Sequence, residues 1–383
     1  MTRVAYFISS MHNPGGMERV LTTKVNYFVE NYPAVEIFIV MVSNKGFKPF
    51  YPLDSRVNLV ELNIDFYEGN NPVRKIVSYL KKQREYKKQA QEWLDNNSMD
   101  ICISYFGREI DFFHKLTGEF KKVGELHFSR EYRKHIYANI SNNYIYKILA
   151  YVRDKQLIKN VKLLDKLVVL TKADKNAWLN EGIKHVECIY NPSPLHTELR
   201  TNINAKNVIA IGRLVEQKGF KVLLRIWSKI ASNYPEWNLI IYGQGPLEIP
   251  LKSQINESNI TNVSIRPFIS DVEKIYSNAS IIASTSNFEG LPMVLIEAQS
   301  SGVPCIAFDC PCGPAEIIDD GKSGYVIPLH DEEMYTTKLK QMLSNDSLLT
   351  GFSKQALLNS TQYSIDSISM CWMQLFNRLS NDH

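Results

Sequence analysis

Glu289 and Glu297 stand eight residues apart in NFEGLPMVLIEAQSSGVP, residues 287–304, inside an otherwise apolar run. A buried carboxylate is costly unless a donor meets it, and the hydroxyls of a sugar or a ribose are suitable donors. Pro292 suits a first helical turn and Gly302 a helix stop, so the stretch reads as strand (ASIIASTS), loop (NFEG) and helix (PMVLIEAQSSG). Eight residues bring a helix round to within roughly 80° of its starting face. The two carboxylates can therefore look towards one ligand at different depths. Taken alone, Glu289 would equally serve as an acidic group at a helix N-terminus.

Other candidates follow strand-like runs. IGRLVEQKGF offers Arg213 and Lys218 just past a strand, where two cations suit a pyrophosphate, although an ordinary surface loop carries such charges too. SSMHNPGGMERVL places Pro14, Gly15 and Gly16 between a strand and a helix, a tight turn or a close approach to a ligand anion. His127 ends the run GELHF. YGQGPLE repeats the strand-then-glycine theme with Gly243 and Gly245, but Glu248 occupies the third glycine position of a dinucleotide fingerprint. No D-x-D pair and no G-x-S-x-G elbow occurs, and Gly313 is wrongly spaced from Gly321, Lys322 and Ser323 for a Walker loop. Cys310 and Cys312 form a lone C-x-C, so no metal site is expected.

The elements that must position these residues are βα units. RVAYFIS, VEIFIVMVS, DICISYF, KVGELHF and KLVVLT are short β-branched and aromatic runs separated by helical patterns. The pattern pauses at 190–207, around Pro192 and Pro194, and resumes with NVIAIG, WNLIIYG, NVSIRPF, ASIIAST, VPCIAF and GYVIP. Two α/β doubly wound domains with a cleft between them are expected.

The 383 residues, 44% hydrophobic and 22% charged, suit two globular domains. The opening MTRVAYFISSMH lacks the apolar core of a signal peptide, and no run is long enough to span a membrane. Six scattered cysteines point to a reduced, cytoplasmic protein.

The charge is lopsided. Residues 1–195 carry 29 Lys and Arg against 21 Asp and Glu, and the remainder 15 against 19. Much of the excess lies in VRKIVSYLKKQREYKKQAQEWL, residues 73–94, where Val73, Ile76, Val77, Leu80, Trp93 and Leu94 form a narrow apolar stripe. A second basic and aromatic region spans 129–166. Solvated helix faces are one reading; docking to an anionic membrane surface is the other. Nucleic acid is not expected, because no recognition module accompanies the charge.

Together, FEGLPMVLIEAQSSGVP (an E-x7-E motif), GRLVEQKG, YGQGPL and the early PGG turn resemble those of the retaining glycosyltransferases of family 4. That resemblance implies a GT-B fold of two facing Rossmann-like domains. An acceptor-binding domain would span 1–192, with 364–383 crossing back to it, and a nucleotide-sugar domain 200–363. It implies that Glu289 meets hydroxyls of the donor sugar and Glu297 the ribose. Arg213 and Lys218 would bind the diphosphate without a metal or other cofactor. Gly16 would line the diphosphate, His127 would contact the donor sugar, and Gly290 and Leu291 would offer backbone N–H groups. Gly243 would complete the donor site, with Phe268 in a base site around 266–269. PCGPAEIIDDGKSG is similar to the branch that builds bacterial capsule, exopolysaccharide and lipopolysaccharide. The expected partners are a UDP- or GDP-sugar and a lipid-linked saccharide, at the inner face of the cytoplasmic membrane. A nucleotide-sugar epimerase and a non-catalytic partner of another transferase are the alternatives.

Overall fold

The computed structural model describes residues 1–381 except 67–71, 131–143, 196–200, 268 and 270. Contacts divide the chain into two units, Met1–Pro192 with Ile365–His383, and Ser193–Ser364.

In the first unit, β1 (Thr2–Ile8), β2 (Val35–Met41), β3 (Asn58–Glu61), β4 (Ile101–Ser104), β5 (Lys121–Leu126), β6 (Lys166–Val169) and β7 (Val186–Cys188) make one parallel sheet. Its order is β3-β2-β1-β4-β5-β6-β7. The crossovers include α1 (Gly16–Asn31), α2 (Pro72–Asn96), α3 (Tyr144–Val161) and α4 (Lys172–Asn180). Successive side chains of a strand point to opposite faces, and here both faces are buried. Val4, Tyr6 and Ile8 of β1 join Leu21, Val25 and Phe28 of α1. Ala5 and Phe7 join Tyr86 and Ala90 of α2 and Leu157 and Val161 of α3. That is why RVAYFI reads as a continuous apolar run rather than an alternating one. The two outermost strands, β3 and β7, are additions to the five visible in the sequence; they are short and only partly buried.

The apolar stripe expected on α2 anchors it at the far end, through Leu94 and the partly buried Trp93. Tyr86, Ala90 and Leu94 are buried, while Val77 and Leu80 are exposed, Leu80 by 56%. Tyr86, Ala90, Trp93 and Leu94 supply the core contact, and Val77 and Leu80 face outward.

The second unit holds β8 (Asn207–Ile211), β9 (Asn238–Tyr242), β10 (Val263–Arg266), β11 (Ile281–Ser284), β12 (Cys305–Asp309) and β13 (Gly324–Pro328). They form a parallel sheet of order β10-β9-β8-β11-β12-β13. Helices α5 (Phe220–Ser228), α6 (Glu248–Glu257), α7 (Val272–Ser277), α8 (Met293–Ser300), α9 (Pro314–Ile317), α10 (Glu332–Leu343) and α11 (Asp346–Ser360) connect and cover it. The last helix, α12 (Ile365–Asn381), belongs to the first unit, where Phe376 meets Phe28 of α1 with ring centroids 5.8 Å apart.

Each sheet reverses its strand order once, between β1 and β4 and between β8 and β11. Ligands of open α/β sheets bind at such switch points, beyond the carboxyl ends of the strands. In the second unit a glycine sets the loop there. Gly219 has φ +64°, and a Cβ on it would lie 2.0 Å from the Thr285 carbonyl oxygen. A side chain at 219 would thus push apart the loops that follow β8 and β11. Gly219→Ala should destabilise the protein by about 1–3 kcal/mol, read as a lower urea midpoint; an unchanged midpoint would show that the two loops are not held this closely.

Candidate functional site

The loop after β8 and the loop after β11 are laced together by hydrogen bonds. Asn287 N–H donates to the Gln217 carbonyl at 2.8 Å, Asn287 Nδ2 to the Glu216 carbonyl at 2.8 Å, and Gln217 Nε2 to the Phe288 carbonyl at 3.0 Å. Thr285 Oγ1 donates to the Gly219 carbonyl at 3.1 Å. This lacing fixes Lys218 opposite Glu289, with Nζ 2.7 Å from Oε1. Ser286 Oγ donates to the same oxygen at 2.6 Å. Among the described residues nothing donates to Oε2, so one carboxylate oxygen is anchored and the other is available to a hydroxyl. Arg213, in the loop after β8, is exposed and has no ion pair among the described residues. A carboxylate with one open oxygen beside a lysine is an arrangement that can hold a polyhydroxylated anion.

Glu297 sits in α8, 6% exposed, and Tyr276 of α7 places its hydroxyl 3.0 Å from Oε2. The two glutamates therefore fall in one corner of the second unit, each with a protein partner. Gly290 and Leu291 form the turn between Glu289 and α8, and their N–H groups take no acceptor among the described residues. Gly243 follows β9; a Cβ there would lie 1.9 Å from the Gly212 carbonyl oxygen, so the packing of two adjacent loops already requires this glycine. Cys310 lies near Glu289 and Lys218, and burial pushes its thiol pKa well up. Phe268 lies outside the described residues.

Gly16 and His127 stand on the first unit. Gly16 opens α1, and a Cβ on it would meet no protein atom within 4 Å. The fold itself has no need of a glycine there. His127 follows β5, its ring stacked on Tyr105 at 4.7 Å and its Nε2 3.2 Å from Glu125 Oε1. At the switch point of this sheet lies a cavity of about 920 Å³ lined by Ser9, His12, Ser43, Asp65 and Arg108 among others.

Several groups escaped the sequence. Lys24 and Glu125 form a buried ion pair, with Nζ 2.7 and 2.6 Å from the two carboxylate oxygens. A signal existed: Lys24 falls on the α1 stripe of Leu21, Val25 and Phe28, and Glu125 interrupts a buried strand. Glu109, fully buried beside β4, accepts from Ser104 Oγ at 2.7 Å and Gly107 N–H at 2.8 Å, and burial raises its pKa. Ser286 and Tyr276 carry no motif and are visible only once folded. Among the described residues no three His, Cys, Asp or Glu side chains gather as a metal set.

Comparison with known proteins bears on this corner. Residues 195–358 match the family described as Glycosyl transferases group 1. The chain is 30% identical over 388 residues to the amylovoran biosynthesis glycosyltransferase AmsD of Erwinia amylovora, covering 98% of this chain and all of that one. It is 23% identical over 389 residues, end to end in both, to a Campylobacter jejuni α-1,4-N-acetyl-D-galactosaminyltransferase named for an undecaprenol-diphosphate-linked saccharide. A crystal structure of Staphylococcus aureus TarM, in complex with UDP among other ligands, superposes with a TM-score of 0.74 at 17% identity, over 98% of this chain and all of that one. The two parallel-sheet units are thus those of the GT-B fold, and the chain belongs to the group 1 glycosyltransferases.

Proposed function

We propose that the chain is a retaining, metal-independent family 4 glycosyltransferase. It moves a hexose or N-acetylhexosamine from a UDP- or GDP-sugar to a lipid-linked saccharide in bacterial surface polysaccharide synthesis. The observation that carries the reading is the Lys218–Glu289 pair between the loops after β8 and β11, at the switch point of the second sheet. The names of the Erwinia and Campylobacter relatives support polysaccharide synthesis and a lipid-linked acceptor, and the UDP in the TarM complex supports a nucleotide donor.

On this reading Glu289 accepts from donor-sugar hydroxyls through Oε2, Glu297 holds the ribose, and the N–H groups of Gly290 and Leu291 face the diphosphate. Gly16 leaves room for the diphosphate, and His127 meets the donor sugar. The bond between the anomeric carbon and the diphosphate oxygen breaks, and its electrons leave with the nucleoside diphosphate, whose charge Arg213 and Lys218 stabilise. The acceptor oxygen bonds to the same face of the anomeric carbon, and its proton passes to the departing phosphate oxygen.

The lipid-linked acceptor places the enzyme at the inner face of the cytoplasmic membrane. Leu80 of α2 and Leu149 of α3 are 56% and 58% exposed, with Val77, Tyr151 and Val152 exposed beside them. A groove of about 560 Å³ runs between these helices, lined by Leu80, Leu149 and Val152 and by the cations Arg84, Lys87 and Lys115. Apolar residues ringed by cations suit an anionic bilayer surface. Residues 131–143 of the second basic region lie outside the described residues. No helix among the described residues is long and apolar enough to cross a membrane.

The reading is tested by offering nucleotide sugars to the purified protein with bacterial lipid extract. Transfer to lipid supports it; consumption without acceptor points to an epimerase, and neither binding nor consumption defeats the enzyme reading. Three variants sharpen it. Lys218→Ala should lower turnover by about 10²-fold or more with the fold intact, and near-normal turnover would remove its role. Gly16→Ala should leave the unfolding midpoint at or above wild type, since alanine favours a helix by about 0.5–1 kcal/mol, yet weaken donor binding in calorimetry; unchanged binding would make Gly16 a plain turn. Replacing Lys81, Lys82, Lys87 and Lys88 by Gln should weaken binding to phosphatidylglycerol vesicles by about tenfold or more, at about 1 kcal/mol per charge near the surface. Equal binding would reduce α2 to a solvated face.

A further inference from the structure

The first unit holds a charged pair that the transfer reaction does not account for. Lys24 of α1 and Glu125 of β5 are each 1% exposed, with Nζ 2.6 Å from Oε2. Removing two ions from water costs several kcal/mol each, and packed apolar residues would often serve stability as well. The pair is also caged. Lys24 Nζ lies 5.0 Å from the Tyr6 ring centroid, 5.4 Å from that of Tyr105 and 4.2 Å from that of Trp372 in α12. Tyr105 adds its hydroxyl 3.2 Å from Glu125 Oε1.

One side of this cage is His127. Its Nε2 is 3.2 Å from Glu125 Oε1, and its ring lies on Tyr105 with an interplanar angle of 29°. The face of the imidazole is covered by the tyrosine, and one edge lies within charge-contact distance of the carboxylate. Burial alone would raise the Glu125 pKa, but Lys24 and His127 outweigh it and hold the group below its usual value, as a carboxylate.

We propose that Glu125, paired with Lys24 and sealed by Trp372, is the positioning residue of His127. The Glu125 carboxylate, 3.2 Å from Nε2, attracts a proton to that edge of the ring rather than to the opposite one. Nδ1, on the opposite edge, is then left as an acceptor for a substrate hydroxyl. The groups that face this ring are Glu125 on β5, Glu18 from α1 and Tyr105 beyond β4. Lys24 and Tyr6 stand behind the carboxylate, and His12 stands near Glu18. The inference deepens the reading that His127 meets the donor sugar and rests on it for its effect on turnover. The tautomer does not depend on that reading.

The test uses the full chain with ¹⁵N-labelled histidine. In wild type, the His127 ring should carry a proton on Nε2; a lone proton on Nδ1 overturns the proposal without any variant. Glu125→Gln alone would strand a buried ammonium, so the informative variant is Lys24→Met with Glu125→Gln, which removes both charges. It should unfold within a few degrees of wild type, show mixed His127 tautomers, and lose about tenfold or more in kcat with donor KM little changed. A folded double variant with the wild-type tautomer and kcat would make the pair a packing feature only. If wild type transfers no sugar, the glycosyltransferase reading fails, while the tautomer spectra still decide the positioning role.

Discussion

The ion pair between Lys218 and Glu289 is the constraint on which the second unit's site depends. It joins the loops after two adjacent strands, β8 and β11, whose crossovers leave in opposite directions. Because Glu289 Oε1 already takes Lys218 and Ser286, the carboxylate cannot swing, and Oε2 is held at one place. A partly exposed lysine so placed also has donor capacity to spare. Its ammonium carries three N–H groups, and one goes to the carboxylate, so an arriving phosphate can share it without breaking the pair. Glu289 thus orients the cation as well as offering an acceptor of its own.

The second glutamate has a different solution. Glu297 is one turn inside α8 and meets the Tyr276 hydroxyl from α7. One of its oxygens accepts from that hydroxyl before any ligand arrives, which lowers the cost of burying it. Both carboxylates of the E-x7-E stretch are therefore held by a protein partner before a substrate arrives.

Much of this was legible in the residues. The buried strands of both parallel sheets show as continuous apolar runs, because both faces are covered. Arg213, Lys218, Glu289 and Glu297 are marked by type and by position just past or near a strand. The parts that were not legible share a physical reason. β3 and β7 are edge strands only partly buried, so their sequences lack a strong apolar pattern. The stripe on α2 is divided: Leu94 and Trp93 pack on the core, whereas Val77 and Leu80 face outward, where apolar residues signal a surface. Tyr276 and Lys24 act across long sequence separations, and a single sequence holds no record of which residues meet. Even so, a lysine on the apolar stripe of α1 is a local inconsistency, and such conflicts often mark functional positions.

The two units place an ion pair near the carboxyl ends of their strands, but they seal it differently. Lys218 and Glu289 are 19% and 8% exposed, whereas Lys24 and Glu125 are each 1% exposed beneath Trp372. Water or a ligand reaches the first pair and can redistribute its bonds. The second has no such access, and its attraction acts at a lower effective dielectric, so its geometry is stiffer. A stiff pair suits the fixing of a neighbouring ring, and an accessible one suits the capture of an anion. Trp372 belongs to the last helix, so the stiffness of the first unit's pair depends on residues that join the unit from the far end of the chain.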